Sequence, residues 1–172
     1  MKISAKTIEK EIIKQKNSVK AKNFARFFKT GKGEYGEGDL FLGISVPDSR
    51  MLSKKYKDID LKEIALLLKN KFHEIRLTAL FLIVSKFQGA KIETEREKIV
   101  NLYLKHTKCI NNWDLVDSTA YQILGNYLLF KKDRKILYKL ANSKNVWEQR
   151  IAIVSTFCFY KKWRIKRYLS FM

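Results

Sequence analysis

Apolar positions along this chain recur three and four residues apart, and that spacing predicts helices. Ile8, Ile12 and Ile13 mark the first. Residues 19–28 form the second, with Lys and Arg on its other face. A glycine-rich loop follows over 30–39. Pro47 opens the next helix at a position where its missing N–H does no harm. Asp60 is the expected N-cap of a helix over 61–68. Residues 73–87 are so apolar that an inner helix is expected. Glu93, Glu95 and Glu97 put negative charge on the first turn of the helix after it, which suits its dipole. Residues 112–130 read as one helix, or as two meeting near Gly125. Helices over 133–141 and 145–160 complete the series. No segment reads as a strand.

A faint repeat runs through the pattern. His73-Glu74-Ile75-Arg76 resembles Trp147-Glu148-Gln149-Arg150, and the two arginines stand 74 residues apart. The midpoint falls near 112–117. A period of roughly 37 to 40 residues is the size of a two-helix HEAT or armadillo unit. Such units bury their apolar faces by stacking and curve into a concave surface. The fold expected is therefore all-α, a superhelical solenoid of antiparallel helix pairs forming one domain over residues 1–172. In this alignment Asp117 falls where its neighbours carry Arg.

Composition sharpens the reading. The chain has 172 residues, with 36 Lys and Arg against 17 Asp and Glu, a formal net charge of +19. So large an excess costs self-repulsion and favours a polyanionic partner. Seven glycines and one proline are few for a β-sandwich or barrel of this length. Cys109 and Cys158 form no paired motif, which fits a reducing compartment rather than a disulfide scaffold. No apolar run approaches the length of a membrane span, and 1–16 lack a signal-peptide core. A cytoplasmic monomer without membrane contact is expected.

Two motifs are set aside. Gly31-Lys32-Gly33-Glu34-Tyr35-Gly36 matches G-x-G-x-x-G, but the preceding residues look helical where a dinucleotide site needs a strand. Glu34, Glu37 and Asp39 would also repel phosphate. The loop is read as a flexible connector, with no nucleotide cofactor. His73 and His106 lack partners at ligand spacing, so no metal site is expected. His73 is read as a helix-start residue.

The strongest local feature is Asn112-Trp113-Asp114-Leu115-Val116-Asp117-Ser118. On a helix, Trp113, Asp117, Ala120 and Leu124 share one stripe, and Val116, Thr119 and Ile123 centre the core face beside it. Asp117 then stands at the edge of the apolar face, one turn after an indole. Trp147, Arg150, Ile151 and Val154 share a second stripe. Arg150 either pairs with Asp117 from the adjacent repeat or holds phosphate oxygens, and the two roles are compatible.

Trp113-Asp-Leu-Val-Asp117, Trp147-Glu-Gln-Arg150 and Leu42-Gly-Ile-Ser-Val-Pro47-Asp-Ser-Arg50 occur in an order and spacing that resemble the bacterial DNA alkylation repair family, the AlkD-type alkylpurine DNA glycosylases. The loop over 29–39 resembles one branch of it, and the resemblance covers about residues 20–162. It implies a HEAT-like solenoid gripping duplex DNA in a basic concave cleft. It further implies hydrolysis of the N-glycosidic bond of N3- or N7-alkylated purines, without metal or cofactor. Carried over, Asp117 is the catalytic carboxylate, Trp113 packs against the sugar of the lesion, and Arg150 holds the backbone. Trp147 and Phe27 are expected to line the cleft, with Lys105, Lys108, Lys144 and Lys161 as phosphate contacts. The family continues for one to two further repeats bearing another cleft tryptophan. Here the residues after Phe159 are strongly basic and have no match, and 163–172 read as a divergent basic tail in which Trp163 is the candidate substitute. The alternative function is a non-catalytic DNA-binding solenoid, and a third is a protein-binding scaffold.

Overall fold

The computed structural model describes residues 3–160. It is all-α: among the described residues the only β feature is a single bridge between Leu40 and Phe72. None of the described helices is long and apolar enough to cross a membrane. The chain divides into two compact units, Met1–Asn112 and Trp113–Met172.

The first unit is built around α5 (His73–Gly89), whose run from His73 to Val84 is buried without interruption. That continuity is why no polar stripe marks it in the sequence. α3 (Val46–Lys55) and α4 (Leu61–Leu68) pack on it, α6 (Glu93–Lys105) covers another side, and α1 (Ala5–Lys14) rests on α4. Ile8 and Ile12 of α1 are fully buried, whereas Ile13 points outward. Truncating a core residue such as Leu80 to Ala costs about 2–5 kcal/mol. Ser45 caps α3, so Pro47 sits one residue further in than expected, still within the turn that has no N–H partner to lose. Asp60 occupies the N-cap of α4, and its carbonyl receives the Glu63 and Ile64 N–H groups.

α2 (Ser18–Phe27) differs from its expectation. None of its residues is fully buried, and Val19 and Phe27 project outward. It is held by its ends. The Asn17 N–H donates to the Leu42 carbonyl, and Gly43, at φ +85°, meets it so closely that a Cβ would stand 2.2 Å from the Asn17 carbonyl oxygen. At the other end Phe24 and Phe28 join Phe41 in an aromatic cluster.

The glycine-rich loop is self-contained. Glu34 accepts the Gly31 N–H at 2.7 Å and Glu37 accepts the Gly33 N–H at 2.8 Å. The loop's own carboxylates thus occupy donors that a phosphate would use. At its end Asp39 turns inward to a polar network below α5. His73 Nδ1 hydrogen-bonds Asp39 Oδ2 at 2.7 Å, and the His73 ring packs against both Phe41 and Phe28, which also stack on each other. His73 is thus the first residue of its helix, as expected, and is also fully enclosed. Arg76 donates to Asp39, Asn111 and the carbonyls of Cys109, Asn70 and Lys71, which takes up all five guanidinium N–H groups. The Glu74 carboxylate accepts the N–H groups of Leu42, Gly43 and Ile44.

The second unit comprises α7 (Trp113–Asp117), a π-helical turn (Tyr121–Gly125), α8 (Asn126–Leu128), α9 (Lys135–Ala141) and α10 (Val146–Ser155). Residues 112–130 are therefore a broken helical stretch, with the π turn ending at Gly125. Leu115, Val116, Ala120, Ile123 and Leu124 are fully buried, and α10 packs on α7, the π turn and α9.

Candidate active site

The second unit brings Asp117 and Arg150 together. Asp117 closes α7. The core face formed by Val116, Thr119 and Ile123 is buried as the spacing predicts, and it fixes the rotation of the segment. Arg150 lies on α10, whose first turn is set by Asn145, which accepts the Trp147 N–H. Arg150 Nε donates to Asp117 Oδ1 at 2.7 Å and Nη2 to Oδ2 at 2.6 Å, a bidentate fork. The side chains keep 44% and 37% of their exposure, so the pair is wet on one side. The bond to Asp117 pushes the Arg150 pKa up, although partial burial opposes this. The guanidinium is charged at every working pH.

Each carboxylate oxygen accepts one guanidinium bond and retains lone-pair capacity for another donor. Arg150 spends two of its five donors on Asp117, and among the described residues Nη1 has no partner. The group can therefore take a second anion in the plane of the fork while it orients the carboxylate. Trp113 stands one turn before Asp117 and Trp147 one turn before Arg150, both half-buried. The pairing expected across neighbouring repeats is thus present, and an indole precedes each charged partner in its helix.

The other expected contacts are dispersed. Lys144 is exposed just ahead of α10. Phe27, Lys105 and Lys108 belong to the first unit, where all three are exposed, and Phe27 packs edge-on against Phe28. Lys161 and Trp163 lie outside the described residues. Sequence reasoning missed the enclosed partners of the first unit, Asp39, His73, Glu74 and Arg76. The signal was available: Asp39 and Arg76 are 37 residues apart, the repeat period itself.

Residues 8–172 match the family described as DNA alkylation repair enzyme. The match extends beyond residues 20–162 at both ends and includes the basic tail. No curated protein matches the chain significantly.

Proposed function

The chain belongs to the family of DNA alkylation repair enzymes, and from that premise we propose that it is a glycosylase acting on N3- and N7-alkylated purines in duplex DNA. The observation that carries this reading is the half-exposed Asp117 carboxylate, held through both oxygens by Arg150 beside Trp113.

Alkylation at N3 or N7 gives the purine a formal positive charge. The C1′–N bond then breaks with its electron pair passing to the base, which leaves neutral. Positive charge develops on the sugar. A fixed carboxylate stabilises it, and the free lone-pair capacity of Asp117 orients a water toward C1′. The water oxygen bonds to C1′ and its proton passes to Asp117 or to solvent. The Trp113 face adds a cation–π attraction to the developing charge. Arg150 presents its unused donors to a DNA phosphate. Hydrolysis by this route uses water and side chains alone.

The charge of +19 supports a duplex partner and a strongly salt-dependent affinity. In this reading Trp147, Phe27, Lys105, Lys108, Lys144 and Lys161 contribute contacts to the DNA backbone. The protein acts as a cytoplasmic monomer.

The test is release of methylated purine from alkylated duplex DNA by wild type and Asp117→Asn at two salt concentrations. Asp117→Asn is expected to slow release by about 10²–10³-fold while duplex binding persists and weakens with salt. Equal release by both proteins removes Asp117 from the chemistry. Salt-sensitive binding by a wild type that releases nothing favours the non-catalytic DNA-binding reading.

A further inference from the structure

The π turn begins four residues after Asp117. Such turns have poorer hydrogen-bond geometry than an α-helix and persist mostly at functional sites. This one is gripped from the segment that carries Arg150. Gly125 leaves no room for a side chain: a Cβ would stand 2.5 Å from the Ser155 carbonyl oxygen and 3.0 Å from Cys158 Sγ. The Cys158 thiol donates to the Tyr121 carbonyl at 2.9 Å, and that carbonyl also accepts the Asn126 N–H across the widened turn. Ser155 Oγ, fully buried, lies 3.4 Å from the Ala120 carbonyl.

Both halves of the ion pair thus hang on one crossing. Asp117 lies just before the π turn, and Arg150 lies five residues before Ser155. The exposed pair is too weak to fix its own geometry, since ion pairs of this exposure contribute little to stability. Loss of the extra residue in the turn would rotate the segment carrying Asp117 by about 100° relative to α8, one residue's share of a helical turn. Asp117 would then face away from Arg150.

We propose that Gly125 and Cys158 are positioning residues for Asp117: the close approach of Gly125 to Ser155 at the end of α10 and the hydrogen bond from Cys158 to the Tyr121 carbonyl hold the π register that presents both carboxylate oxygens to Arg150. The inference rests on the glycosylase reading for its effect on rate, but its geometric content stands apart from it.

The full chain is compared with Cys158→Ala, Cys158→Ser and Gly125→Ala. Single-turnover release of methylated purine gives the rate, anisotropy on undamaged duplex gives the affinity, and the Arg150 Nε–H resonance reports the bond to Asp117. Cys158→Ala is expected to lower the rate about tenfold, as sub-ångström misplacement of a catalytic group does, with affinity unchanged and the resonance shifted. Cys158→Ser keeps a donor at this position and restores both. Gly125→Ala, which forces the backbones apart, lowers the rate further. Unchanged rate and resonance in Cys158→Ala overturn the proposal, as does a slowed variant that serine fails to restore. If wild type releases no base, the glycosylase reading fails and the resonance alone decides the positioning role.

Discussion

Each unit carries an arginine at the fourth position of a similar motif near a helix start, and each arginine grips an aspartate. In the first unit Arg76 meets Asp39 at 2.6 Å with side-chain exposures of 6% and 1%. In the second, Arg150 meets Asp117 at the same distance with exposures of 44% and 37%. Arg76 spends every donor it has on protein atoms. Arg150 keeps most of its own. The residue that begins the motif differs in the same sense: His73 is buried against two phenylalanines and bonded to Asp39, whereas Trp147 is half-exposed. One short motif thus serves as a structural bolt where its surroundings close over it, and as a candidate reactive site where they leave it open. Distance alone does not tell the two apart. The donors left over do.

The largest effect expected is on the bolt. Arg76→Ala leaves the Asp39 carboxylate buried without its cation, and breaking a buried pair in this way costs about 3–5 kcal/mol. Thermal unfolding followed by circular dichroism reads that loss. Among the described residues the tryptophans, Trp113 and Trp147, fall in the second unit, so their fluorescence follows that unit. Equal stability of Arg76→Ala and wild type would mean the buried network is not a structural bolt.

Next comes Asp117→Asn, which should remove roughly 3–4 kcal/mol of transition-state stabilisation while the melting temperature stays near that of the wild type. A large fall in melting temperature with little loss of rate would reverse the roles given to the two aspartates.

Acid should also separate them. Burial disfavours the charge on Asp39, but the hydrogen bond from His73 and the nearby Arg76 guanidinium outweigh it and hold the carboxyl below the ordinary aspartate value of 3.8. A carboxyl lowered on folding contributes stability that is complete above its unfolded value and is lost as pH falls through its folded value. Stability of the first unit should therefore decline below about pH 4. An acid limb no steeper in wild type than in Asp39→Asn would contradict this.

The smallest effect is the contribution of the exposed pair to folding. Arg150→Met should change stability by no more than about 1 kcal/mol, yet weaken duplex binding and flatten its salt dependence by about one phosphate contact. A shift of several kcal/mol would mean that Arg150 is a bolt as well.

Much of this was legible in the sequence. The spacing of apolar residues locates α1, α4, α9 and α10, because a helix packed on one side must repeat its contacts every three to four residues, while α5 shows as a continuously apolar run and α6 by its acidic first turn. The repeat comparison marks Asp117 as anomalous and offers Arg150 as its partner. Three things were not legible. α2 carries apolar residues at helical spacing but buries none completely, since it is attached at its ends, by a backbone contact at Gly43 and by an aromatic cluster with Phe41, and neither leaves a trace in periodicity. The π turn is invisible as well: Tyr121, Ile123 and Leu124 fit an α-helix as well as a wider one, and only the close approach of Ser155 to Gly125 distinguishes them. Asp39 was read from the sequence only as a charge repelling phosphate. Its buried partners, His73 and Arg76, lie 34 and 37 residues further along the chain, where local pattern does not place them beside it.

The Glu74 carboxylate has a consequence for how the first unit breathes. Leu42, Gly43 and Ile44 lie in an irregular stretch between the glycine-rich loop and α3, where amide protons normally trade with solvent within seconds. Here all three converge on one acceptor at the first turn of a buried helix. Their exchange with deuterium should therefore be slow and concerted, released only when that turn opens. A stretch without regular secondary structure would then keep time with the most protected helix of the unit.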